Sequence, residues 1–240
     1  MLTNRLSQVL KVAIIAGLVA GLVMGLFHLL VTERLIDQAI ALEGEVGHVL
    51  VSRDTQKVML LVGSSLYGVA VGAIFAIVFI ILGRRLPGRW PDAKAAVLAG
   101  LLWWSVAFLP FLKYPANPPG VGDPDTMYFR QIIQIGFIVF SALAMVTAGA
   151  IYWLLEHRWR ETFLWQWRLG ITTGLYGVLV VLLFIFMPVS SSTTSVPADL
   201  IRNFRILSLS GQVLFWVILG GISALLLKRL AEQEVLGKTG

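Results

Sequence analysis

"VMLLVGSSLYGVAVGAIFAIVFIIL", residues 58–82, runs for 25 positions without one charged side chain. A helix of that length extends about 37 Å at 1.5 Å per residue. The hydrocarbon core of a bilayer is about 30 Å thick, so the stretch crosses it with a little to spare. Five further stretches share its character: 10–31, 94–112, 131–155, 169–188 and 206–227. In lipid only helices and closed barrels satisfy their own backbone groups. Segments of this length and uniform apolarity read as helices.

The expectation is therefore an all-α integral membrane protein, a single polytopic domain over 1–240 with about six transmembrane helices. Composition agrees: 58% of residues are hydrophobic and 13% charged, against about 25% charged in a soluble domain, and the mean hydropathy is +0.84. The first apolar run reads as a span rather than a cleavable signal. It is too long, and it ends in "FHLLVTERL" rather than in a small-residue cleavage site. The third run is short and enters Pro110.

Basic residues give an orientation. The N-terminus, 83–94, 156–168 and the C-terminus together hold twelve Lys and Arg; the intervening segments hold seven. The richer side is expected to be cytoplasmic, with both termini inside. Carboxylates divide the other way, eight outside and five inside. Acidic residues scarcely influence insertion, so that bias asks for another cause. The net charge of +6 is then a topology signal, and no basic run interleaved with aromatics suggests nucleic acid. With no cysteine, disulfides and thiolate metal sites are excluded.

The words "LYGV" at Leu66 and Leu175 hint at two inverted three-helix repeats, an arrangement found in transporters. Four shared residues from a membrane alphabet also arise by chance. The series Gly17, Gly21, Gly25 has small-xxx-small spacing, which argues for close helix packing.

Polar chemistry gathers in two places. The first is "FHLLVTERLIDQAIALEGEVGHV", residues 27–49. Glu33 and Asp37 are four apart and share a helix face. His28 precedes them, and Glu43, Glu45 and His48 follow. Carboxylates with imidazole suit a borderline divalent metal such as cobalt, nickel, manganese or zinc. The other reading is an interfacial helix with a solvated acidic face. The second place is "FLKYPANPPGVGDPDT", residues 111–126. Pro115, Pro118, Pro119 and Pro124 exclude a helix, and "NPPG", which contains Asn117, forms a turn. The product is a stiff loop carrying Asp123 and Asp125. Lys113, Arg130 and Arg205 stand on the outer side against the charge trend. They are expected to pair with the outer carboxylates. Gln212, inside the last span, needs a partner within the bundle.

No Walker loop, HExxH, GxSxG or SxxK motif occurs, so an enzyme is not expected. The competing readings are a membrane enzyme acting on a lipid or isoprenoid pyrophosphate, and a non-transporting scaffold.

"FHLLVTERLIDQAIALE", "LPFLKYPANPPGVGDPDT" and "FRILSLSGQVLFWVILG" together resemble the CbtA family, a probable cobalt-transporter subunit. The likeness runs from about residue 10 to 228, and the proline-rich block is its specific part. The resemblance implies a permease subunit in the bacterial inner membrane, with cobalt as its substrate and no permanently bound cofactor, supporting cobalamin supply. It also implies a small single-span CbtB-like partner with a histidine-rich tail. One position departs from the family pattern, which has proline after Glu33; Arg34 stands here. The site then expected is His28, Glu33, Asp37 and Glu43 at an outer entry, with Asp123 and Asp125 drawing cations toward it.

Overall fold

The computed structural model describes residues 2–43, 51–159, 164–189, 194 and 196–236. Among them there is no strand, and six helices are long and apolar enough to cross a membrane. The elements are α1 (Leu2–Phe27), a π-helical turn (His28–Thr32), α2 (Glu33–Glu43), α3 (Arg53–Leu82), α4 (Pro91–Leu102), a second π-helical stretch (Trp103–Phe108), α5 (Leu109–Lys113), a 3-10 turn (Pro124–Thr126), α6 (Met127–Arg158), α7 (Trp165–Phe186) and α8 (Ala198–Leu236).

The apolar runs locate the spans, but the helices outrun most of them. The first continues without a break from Leu6 to Leu42. The third persists to Lys113 in spite of Pro110. A proline ring collides with the carbonyl four residues back and leaves that acceptor without its donor. Here that carbonyl, of Val106, lies in the wider π stretch, where Leu109 N–H reaches back five residues to Trp104. The π register accommodates the ring before α5 resumes.

The chain forms two compact units. The first comprises residues 1–100, 116–120 and 196–240, the second 101–115 and 121–195. Neither corresponds to a half of the sequence.

In the first unit, α1 and α3 run antiparallel with almost nothing between their backbones. A methyl group placed on Gly17 would strike the Gly68 carbonyl, and one on Gly21 would strike the Ser64 carbonyl. Glycine on both sides allows this approach, and dispersion and Cα–H···O contacts then hold helices that lipid gives no hydrophobic reason to associate. Helix α1 also packs on α8, whose Phe215 and Leu219 are wholly enclosed.

The second unit is built on aromatic packing. Phe137 of α6 is fully buried, with Tyr114 and Phe184 edge-on at 5.7 and 5.3 Å. Edge-to-face pairs at such distances are favourable beyond the area they bury. The two "LYGV" words do different work: Gly68 is locked against α1, whereas Gly177 of α7 faces open space.

Candidate functional site

Helix α2 begins where the first π turn ends. The turn is closed by the Glu33 N–H bonding to the His28 carbonyl, five residues back. It holds one residue more than an α turn, and such insertions gather at functional positions. Two expected ligands thus bracket an irregularity in the longest apolar helix.

Glu33 is only 7% exposed. A buried carboxylate needs a partner, and it has one in Arg53, the first residue of α3. Arg53 Nη2 donates to Glu33 Oε1 and, at 2.6 Å, to Asp37 Oδ1. Its Nη1 donates to Gln56 Oε1 at 2.5 Å. A guanidinium at a helix N-terminus opposes the helix dipole, and the two carboxylates offset that. Ser52 caps the same terminus by accepting from the Thr55 N–H at 3.3 Å.

The glycine register explains the pairing. Gly17 faces Gly68 and Gly21 faces Ser64, so each step of four along α1 is a step of four backward along α3. Three turns further out the series arrives at Glu33 and Arg53. The extra residue of the π turn absorbs the single position by which the two counts differ.

His28 lies one π turn deeper. Its Nδ1 is 2.9 Å from the buried Thr32 hydroxyl, and its Nε2 edge lies against the bare backbone of Gly211 in α8. A methyl group at 211 would occupy the ring's place. Gly211→Ala is therefore expected to swing the imidazole out, visible as a displaced His28 side-chain resonance in labelled protein, while Gly221→Ala, in open space, leaves it unchanged. Next to Gly211, the Gln212 amide reaches the Tyr67 hydroxyl of α3. Its carbonyl Oε1 is buried without a partner.

The proline-rich segment has its own bonds. Gly120 and Gly122 adopt φ of +78° and +99°, angles that residues with side chains rarely take. Asp123 Oδ1 accepts from the Asp125 N–H at 2.9 Å, and the Thr126 hydroxyl donates to the Asp123 carbonyl at 2.8 Å. Both aspartates are exposed.

Lys113, Arg130 and Arg205 do not make the expected pairs with carboxylates. Arg130 donates to the carbonyls of Val121 and Asp123 at 3.3 and 3.1 Å. Arg205 donates to Asn117 Oδ1 at 2.7 Å. Lys113 donates to the Phe184 carbonyl at 2.8 Å, near the C-terminus of α7, where positive charge suits the dipole. Tyr114 donates to the Pro188 carbonyl at 2.6 Å, and partial burial pushes its phenol above the ordinary value. The correction has a simple cause. A segment with four prolines is short of N–H donors, and side-chain cations supply them to stranded carbonyl and amide oxygens. The carboxylates of α2 are held instead by Arg53, a residue that sequence reasoning counted but did not single out.

The Glu43 side chain, Glu45 and His48 lie outside the described residues. Among the described residues no three His, Asp or Glu side chains gather as a metal cage. What the first unit offers is two carboxylates bridged by one guanidinium, with an imidazole one turn away along the helix.

These features define a multi-pass helical membrane protein. Its family is more specific. The chain belongs to the CbtA family, described as probable cobalt transporter subunits, whose family profile matches residues 6–228. Comparison with curated proteins and with solved structures found no match.

Proposed function

We propose that this protein is the membrane-embedded permease subunit of a cobalt uptake system that feeds cobalamin supply, and not an enzyme. The reading rests on one observation: in a CbtA-family helix bundle, a buried carboxylate stands one π turn from an imidazole and is masked by an arginine. The distribution of basic residues supports placement in the bacterial inner membrane with both termini cytoplasmic. Arg53, Glu33 and Asp37 then lie at the outer mouth.

In this reading a divalent cation displaces the Arg53 guanidinium and takes Glu33, Asp37 and Glu43 as oxygen ligands. His28 receives it one turn deeper, and the unpaired Gln212 carbonyl oxygen lies beyond. Asp123 and Asp125, exposed on the stiff loop, raise the local cation concentration, while Lys113, Asn117, Arg130 and Arg205 keep that loop in shape. A CbtB-like single-span partner with a histidine-rich tail delivers the metal. A doubly charged ion moving inward gains about 4.6 kcal/mol per 100 mV, twice the single-charge value, so the membrane potential is a sufficient driving force.

The test is radioactive cobalt uptake into proteoliposomes under an imposed potential, with and without the histidine-rich partner. Glu33→Gln is expected to lower the initial rate by roughly tenfold or more, the size of one lost charge-assisted interaction. Asp123→Asn should give a smaller, salt-sensitive decrease. Wild-type rates from both variants, equally well inserted, end the proposal.

A further inference from the structure

Helix α7 turns one face toward the protein. Its least exposed positions begin with Arg168 and Thr172 and continue through Leu175, Tyr176, Leu179 and Val180. The first two turns of an otherwise apolar packing face are thus an arginine and a threonine, each 9% exposed. Arg168 Nε and Nη1 are buried with no hydrogen-bond partner, and so is the Thr172 hydroxyl. Among the described residues no carboxylate pairs with Arg168. Glu156, the nearest acidic residue along α6 among the described residues, makes no ion pair.

An isolated buried charge is among the costliest features a fold can carry. Arginine cannot escape the cost by losing its proton. The arrangement asks for an anion with several oxygens, one able to accept from a guanidinium and a hydroxyl one helical turn apart. The surroundings indicate where that anion comes from. Arg168 is in the first turn of a membrane-spanning helix, and Trp159, Trp165 and Trp167 beside it are exposed. Exposed tryptophans at a span's end mark headgroup depth. The Leu164 side chain does not cap α7, so the helix's positive end adds to the attraction.

We infer that Arg168 and Thr172 form a binding site for the phosphate of an anionic phospholipid, at the interface proposed to be cytoplasmic. The guanidinium donates to two phosphate oxygens and the Thr172 hydroxyl to a third. The site is separate from the cation path and independent of the metal transported.

Two measurements on the full chain in neutral detergent test it. The first is native mass spectrometry after exposure to an equimolar mixture of phosphatidylglycerol and phosphatidylcholine. Wild type should retain phosphatidylglycerol by roughly tenfold over phosphatidylcholine, whose phosphate offers the same oxygens but whose choline cation cancels the net charge that attracts the guanidinium. Arg168→Met should lose the preference and Thr172→Val should reduce it, while Arg158→Gln, at an exposed cation on the same side, keeps it. Displacement by excess inorganic phosphate would assign the site to free phosphate and overturn the lipid.

The second is thermal unfolding. In lipid-free detergent Arg168→Met should be more stable than wild type, because it removes an uncompensated charge. Added phosphatidylglycerol should reverse that order by stabilising wild type alone. Residues 160–163 include Glu161 and lie outside the described residues. Were Glu161 the partner, Arg168→Met would be the less stable protein even without lipid, and that result also overturns the inference.

Discussion

Gly68→Ala is expected to lower the unfolding temperature of the purified protein sharply, and Gly68→Leu to leave almost none that elutes as a single species. The reason is steric and local. The new methyl group meets the Gly17 carbonyl and the Gly21 Cα across the α1–α3 contact. These are backbone atoms, so no side chain can turn aside to make room. The helices must separate, and overpacking of this kind costs about 1–3 kcal/mol for one methyl group. Separation also removes the packing of Ala13, Gly17 and Gly21, because the whole seam shares one spacing. Gly177→Ala is the matched control. It sits in the same "LYGV" word, yet a methyl group there touches nothing within 4 Å. It should change stability little, and the exchange of glycine for alanine in a helix is mildly favourable. Equal effects from the two substitutions would falsify the glycine seam as the contact that sets the α1–α3 register.

The second large effect is expected at Arg53. Arg53→Gln leaves Glu33 buried opposite a neutral amide, with Asp37 four residues away adding like charge. Leaving a buried acceptor without its donor costs about 1–3 kcal/mol; the half-exposed Asp37 contributes little of that. The double variant Glu33→Gln/Arg53→Gln removes both charges and should recover most of the loss, as coupled partners do. Cobalt separates a structural bridge from a cation site. In Arg53→Gln the two carboxylates are no longer masked, so cobalt added to the purified protein should raise its unfolding temperature. In the double variant the rise should disappear. Absence of a cobalt effect in the single variant, or persistence in the double, refutes the exchange of arginine for metal. Uptake by Arg53→Gln should also become slow to release its ion, because the competing guanidinium is gone.

The six spans were legible because apolar length is a direct reading of what a bilayer requires. The first apolar span was read as 10–31 and "ERLIDQAIALE" as a helix continuing past the membrane or lying on it, since it has helix-forming residues and no breaker; the structure runs the helix on to Glu43. The sequence pattern identified Gly17, Gly21 and Gly25 as a packing face, and the structure gives them Ser64, Gly68 and Gly72 as partners. That same register could have led to Arg53, had it been carried outward from the glycines. It was hidden by the π turn, which no composition or periodicity announces.

The basic residues of the proline-rich region went astray for a different reason. Charge sign suggested carboxylate partners for Lys113, Arg130 and Arg205. The deciding quantity was the supply of backbone acceptors left over by proline, which a count of charges does not contain.

The π turn at His28–Thr32 also has a consequence for phase. An α-helix advances about 100° for each residue, so one surplus residue fixes the angular offset between everything before the turn and everything after it. Glu33 and Asp37 look toward Arg53 only while that surplus stays where it is. Should it migrate along the helix toward α2, the acidic pair would rotate away from the arginine as a rigid crank, with the glycine seam below undisturbed and no backbone bond permanently lost.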